Sequence, residues 1–139
     1  MTLRLNRTLR RHYQLRQHWE MSQRRRVVKL ALHQVGIPYA WGGTSRSGFD
    51  CSGLVRWVYG NLGVSLPHYT VSQFQHGSSV RRRALKPGDL VFFNGLRHVG
   101  LYIGHGEVVH APHTGTRVSV APLSRVGGFA GARRLIPAY

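Results

Sequence analysis

The chain has 139 residues, room for one compact domain rather than two. Twenty Lys or Arg residues face four acids, a formal net charge of +16 that favours partners carrying carboxylate or phosphate, and no apolar run approaches the ~20 residues of a membrane-spanning helix. The one cysteine, Cys51, excludes an internal disulfide framework and a cysteine-rich zinc finger, while a hydrophobic fraction of 42% supplies an ordinary core.

Residues 1–23 read as a basic extension and residues 24–139 as the folded domain. In the extension, Arg4, Arg7, Arg10, Arg11 and Arg16 alternate with Leu3, Leu5, Leu9 and Leu15. Terminus behaviour favours a frayed, solvated arm; the other reading is a basic amphipathic helix lying on an anionic partner or membrane surface. The charged start lacks the apolar stretch of a secretory signal, so the chain is read either as cytoplasmic or as beginning after a removed leader.

Val27, Leu30, Ala31 and Gln34-Val35 then follow helical spacing, with Gly36 placed to cap the C-terminus and Pro38 barring continuation. Tyr39 to Phe49 is turn-rich and expected to be irregular. A second helix should start at Asp50-Cys51-Ser52, bury Leu54, Val55 and Val58, and close at Gly60-Asn61. A polar connection follows, with a short helix around Thr70 to Gln75. Leu90 to Phe93, Val99 to Ile103, Glu107 to Ala111, Arg117 to Val120 and Ala130 to Ile136 read as strands separated by Gly, Pro or Asn. Helices first and strands afterwards predict an α+β domain with antiparallel pairing.

Cys51 stands where that second helix begins. Unpaired amides and the helix dipole favour negative charge there, so the spacing predicts a lowered thiol pKa and a reactive thiolate. A nucleophilic thiol needs a base, and the segment from His98 to His110 reads as a hairpin. A three-residue loop centred on His105 pairs Ile103 with Glu107 and sets Gly100 opposite His110. His98 then lies diagonal to His110 on the same face, ~7–8 Å away at Cα, with no side chain on Gly100 between them. A two-residue loop would send the two imidazoles to opposite faces. In this register His98 takes the thiol proton and His110 orients it.

Tyr39-Ala40-Trp41-Gly42-Gly43, Phe49-Asp50-Cys51-Ser52-Gly53, Leu85-Lys86-Pro87-Gly88-Asp89-Leu90, His98-Val99-Gly100-Leu101-Tyr102-Ile103-Gly104 and His110-Ala111-Pro112 together resemble, in order, the motifs of the NlpC-type cysteine peptidases of bacterial cell walls. The resemblance implies a papain-like fold: N-terminal helices packed on a five- to six-stranded antiparallel sheet, with the nucleophile at a helix N-terminus. It implies hydrolysis of peptidoglycan stem peptides in the cell envelope, typically between γ-D-glutamate and a diamino acid such as meso-diaminopimelate, without a cofactor. By position it makes Cys51 the nucleophile, His98 the base and His110 the third polar residue. Tyr39 shapes the site, and Asp50 and Ser52 receive the free amine of L-alanine. Asp50 is equally suited to capping the helix, and one carboxylate can do both. The chain departs from the family after Leu66-Pro67, where His68-Tyr69 replaces the usual arginine.

Two other readings compete. Arg24-Arg25-Arg26 and Arg81-Arg82-Arg83 give an electrostatic footprint for nucleic acid, but no recognition motif accompanies them, so specific nucleic-acid binding is not expected. His105, His110 and His113, or Cys51 with His98 and His110, could ligate zinc, although no His-Glu-x-x-His pattern is present and no metal is expected.

Overall fold

Neither Gly nor Pro occurs between Arg7 and Leu32, and Asn6 precedes that run with a side chain suited to capping it. In the computed structural model, which describes residues 6–136, the run is one helix, α1 (Arg7–Leu32), with Asn6 Oδ1 accepting from the Leu9 amide at 2.9 Å. The frayed arm is thus replaced by helix over the described part of the extension. Good helix formers and a capped start carry α1 across the boundary expected at 23/24. Leu3, Arg4, Leu5 and residues 137–139 lie outside the described residues. Arg7 to Leu15 are exposed throughout, whereas Val27 and Ala31 are buried.

A buried carboxylate locks the packed half of α1 to the sheet. Asp89, 1% exposed, accepts two hydrogen bonds from Arg134, at 2.9 and 2.8 Å, and lies 3.6 Å from Arg24. Arg24 also donates to the Pro87 carbonyl at 2.9 Å. Charge this deep persists only when paired on several sides, as it is here.

The elements following α1 are β1 (Thr44–Ser45), β2 (Gly48–Phe49), α2 (Cys51–Gly60), α3 (Thr70–Gln73), β3 (Ser78–Ser79), β4 (Leu90–Phe93), β5 (His98–Gly104), β6 (Glu107–His110), β7 (Ser119–Pro122), α4 (Leu123–Val126) and β8 (Phe129–Arg134). Six strands form an antiparallel sheet in the order β3-β8-β4-β5-β6-β7. Alternation along β4 divides its side chains between two layers. Leu90 and Phe92 join the main core with Val27, Leu54, Val55, Val58 and Tyr59 from the helices, while Val91 and Phe93 join a smaller cluster with Val108 and Leu123. Helices α1 and α2 pack on one face of the antiparallel sheet and α4 on the other, within the α+β class expected.

Tyr39–Phe49, expected to be irregular, contains the hairpin β1–β2. Its register, Thr44↔Phe49 and Ser45↔Gly48, is fixed by close packing rather than by an apolar pattern. A Cβ on Gly53 of α2 would sit 1.8 Å from the Gly43 carbonyl oxygen, so the helix start and this loop touch through bare backbone. The edge strand β3 also went unanticipated, because Ser78 and Ser79 are exposed and carry no hydrophobic signal.

Candidate active site

Asp50 explains why α2 begins where it does. Its Oδ1 accepts from the Gly53 amide at 2.7 Å, a helix cap, and its Oδ2 accepts from the Gly42 amide at 3.0 Å, pinning the preceding loop. Cys51, the next residue, is therefore fixed in the first turn of α2. That helix lies against β5.

On the strand side, the hairpin body has the expected register, with Leu101↔Val109 and Tyr102↔Val108, but the turn differs. Gly104 pairs with Glu107, leaving a two-residue loop of His105 and Gly106, both at positive φ as a type I′ turn requires. Such a loop alone would have split the histidines between faces. A bulge at Ile103 adds one residue and restores the parity. His98 and His110 accordingly share a face, with Nε2 of His98 2.8 Å from Nδ1 of His110 and ring centroids 5.1 Å apart. A Cβ at Gly100 would press to 3.3 Å from the His110 Cβ, so the glycine leaves the His110 side chain its room.

With Nε2 engaged by His110, Nδ1 is the His98 nitrogen free to exchange a proton with another group. For Nδ1 to accept, Nε2 must carry the ring hydrogen and donate it to His110.

The electrostatics correct one expectation. Amides of Val99, Ser52 and Cys51 do pull the thiol pKa down, but burial outweighs them and the Asp50 carboxylate adds to it, so the thiol is pushed up. Burial likewise dominates at His98, and with the neighbouring His110 and His113 holds the imidazole at about 4; burial also lowers His110, followed by the effect of His113. Near neutral pH the thiol and both imidazoles are uncharged. The thiolate inferred from the helix start is not the resting state, because desolvation exceeds what the helix terminus supplies.

Tyr39, Asp50, Cys51 and Ser52 line one cleft of about 460 Å³ together with Trp41, His68 and Arg97. Tyr39 is held there by its amide, which donates to the Thr116 carbonyl at 2.9 Å, and its phenol pKa is raised by burial, then by Cys51 and Asp50. Ser52 is 6% exposed, and its hydroxyl is shared between Asp50 Oδ1 at 3.4 Å and the His68 carbonyl at 3.3 Å, so it braces the cleft wall. Asp50 does cap its helix, and it does face the cleft.

Sequence reasoning did not assign His68, whose Nε2 lies 2.8 Å from Asp50 Oδ1. It also missed Gln73, fully buried, whose amide nitrogen donates to the Ser52 carbonyl at 3.0 Å and to Pro67 at 2.8 Å, tying the His68 loop to the start of α2. The departure from the family pattern after Pro67 was the available signal for His68.

The residues behind the competing readings are differently placed. Arg24 of the first arginine run is spent on Asp89 and Pro87, and Arg82 of the second stacks over Phe129 with 5.4 Å to the ring centroid. His105 sits in the β5–β6 turn, at the far end of β6 from His110. Among the described residues no three His, Cys, Asp or Glu side chains are grouped to hold a metal, and no helix is long and apolar enough to cross a membrane.

Comparison with known proteins identifies the family. Residues 36–128 match the NlpC/P60 family. The chain is 46% identical over 114 residues to a probable endopeptidase of Mycobacterium tuberculosis, covering 81% of this chain and 30% of that protein. It is 38% identical over 112 residues to a γ-D-glutamyl-L-lysine dipeptidyl-peptidase of Bacillus cereus, covering 74% and 34% respectively. The chain thus spans about a third of the length of these relatives. Among solved structures, the M. tuberculosis peptidoglycan hydrolase RipB superposes with a TM-score of 0.77 at 32% identity, over 85% of this chain and 67% of that one. A match across most of the folded region, on a fold with the same helix-and-sheet layout, makes this chain a member of the NlpC/P60 family.

Proposed function

We propose that the chain hydrolyses peptidoglycan stem peptides at the γ-D-glutamyl–diamino acid bond, meso-diaminopimelate being the expected diamino acid, by a Cys51–His98–His110 mechanism. The observation that carries the reading is the His98–His110 pair. Its 2.8 Å contact engages Nε2 of His98 with His110, which supports a reading in which Nδ1 serves the thiol of α2. Family membership and relatives named as peptidoglycan hydrolase and γ-D-glutamyl dipeptidyl-peptidase support the substrate class.

The chemistry runs from a neutral pair. As Cys51 Sγ forms its bond to the γ-carbonyl carbon, its proton passes to Nδ1 of His98, and His110 stabilises the imidazolium through Nε2–H. Collapse of the tetrahedral adduct breaks the C–N bond while His98 returns the proton to the leaving amine. Water, deprotonated by the same nitrogen, then cleaves the thioester and regenerates the thiol. Oδ2 of Asp50 accepts one amide and so retains acceptor capacity for the ammonium of an N-terminal L-alanine, with Tyr39 and Ser52 shaping that wall.

In this reading residues 24–139 are the catalytic domain and the site of action is the cell envelope. The basic part of α1 up to residue 23, exposed from Arg7 to Leu15, contacts anionic wall polymer or membrane. Mass spectrometry of defined muropeptides tests the reaction: the parent protein should release the diamino acid fragment and the Cys51→Ala protein should not. Equal turnover by both would refute covalent catalysis.

A further inference from the structure

A second cleft, of about 700 Å³, is lined by His98 and His110 but not by Cys51. Arg97 and Arg125 supply its charge, His113 lies beside them, and no acidic residue lines it. Arg97 also lines the Asp50 cleft, so one side chain borders both depressions. Five other arginines of the folded body are committed: Arg24 and Arg134 to Asp89, Arg46 to Gln34, Arg117 to the Gly36 carbonyl and Arg133 to the Phe74 carbonyl. Among the described residues, the guanidiniums of Arg97 and Arg125 have neither ion-pair nor hydrogen-bond partner.

We infer that this cleft is an anion subsite in which Arg125, with Arg97 and His113, binds the side-chain carboxylate of the leaving diamino acid. The inference rests on the hydrolytic reading above. Polarity fixes the direction. His98 must hand its proton to the departing amine, so the leaving residue lies on the imidazole side, while the acyl portion with its free ammonium lies toward Asp50. When a stem peptide continues past the diamino acid, that residue's α-carboxyl is tied up in a peptide bond. The side-chain carboxylate, a three-methylene spacer away from the scissile end, is then the carboxylate this residue still presents. A planar guanidinium is matched to a carboxylate by two parallel hydrogen bonds, and here the partner sites are vacant.

The test measures binding to full-length Cys51→Ala protein, so that turnover does not intervene. The probes are the tetrapeptide L-Ala-γ-D-Glu-meso-diaminopimelyl-D-Ala, in which the α-carboxyl is in a peptide bond, and the same tetrapeptide with its side-chain carboxyl amidated. Amidation should weaken binding roughly tenfold, the scale of one charge-assisted hydrogen bond. Adding Arg97→Gln and Arg125→Gln together should weaken the acid by a similar factor and erase the discrimination, and Arg125→Lys should retain part of it. Equal affinity for acid and amide, binding of neither, or discrimination undiminished in the double variant overturns the subsite. If discrimination holds but the parent protein leaves the free acid uncut, the hydrolytic reading fails and the subsite stands.

Discussion

In the proposed mechanism the start of α2 and the β5–β6 pair carry the two halves of one proton-transfer site, and burial acts on them in opposite senses. At the helix it raises an acid, the Cys51 thiol, against the pull of three amides. At the strands it lowers a base, His98, to about 4. Each half alone would look poorly tuned: a thiol that resists ionising and an imidazole that resists protonation. Together they describe a site that stays uncharged until substrate arrives, with charge separation deferred to the step in which the sulfur–carbon bond forms. The contrast also divides labour. The helix side fixes position through Asp50, whose oxygens hold Gly53, Gly42 and His68, and the strand side fixes the tautomer through His110.

Breaking the helix half should cost most. Cys51→Ala is expected to lower kcat by several orders of magnitude, about 10⁴ or more, with an unchanged thermal midpoint, because the side chain is small and the cap is intact. Breaking the strand half at His98→Ala should cost about 10²–10⁴ in kcat, the range of a lost general base. His110→Ala should be milder, about 10–100-fold, as loss of one orienting hydrogen bond to a charged group. Steady-state kinetics on one muropeptide ranks the three; a larger loss at His110 than at His98 would exchange their roles.

Asp50→Asn sharpens the comparison on the helix side. Asparagine still caps α2 but loses the charge facing the cleft, so KM for peptides with a free N-terminal amine should rise about tenfold. N-acetylated peptides should be unaffected; a uniform loss for both would make Asp50 purely structural. The smallest effect is on stability. Between the ordinary histidine value of 6.5 and the folded value of about 4, the unfolded chain binds a proton that folded His98 refuses. Stability therefore falls as pH drops through that window. His98→Gln should flatten the slope by up to ~1.4 kcal/mol per pH unit, measured by urea unfolding.

Legibility in the sequence followed the range of the interactions. The cap at Asp50, the span of α2 and the limits of β4 were readable because local chemistry decides them. The His98–His110 pairing was readable through strand parity, although a shorter turn and a bulge at Ile103 reach that parity by a different route. Helix α1 was under-read, since exposed Arg, Gln and Leu give no buried stripe and the signal lay in Asn6 and the absence of breakers. Hairpin β1–β2 depends on the contact of Gly43 with Gly53, and the His68–Asp50 pair spans 18 positions; neither leaves a local pattern. The direction of the Cys51 shift failed for the same reason, because the helix terminus is local and burial is not.

Because Cys51 is the one cysteine in the chain, alkylation reports on it alone. The most direct measurement is the rate of Cys51 alkylation by iodoacetamide as a function of pH, in the parent protein and in His98→Ala. A resting neutral thiol predicts slow reaction at neutral pH, a rate that climbs only above the ordinary thiol range, and little change on removing the imidazole. A plateau of fast alkylation at mildly acidic pH, abolished in His98→Ala, would contradict it and establish a preformed thiolate–imidazolium pair.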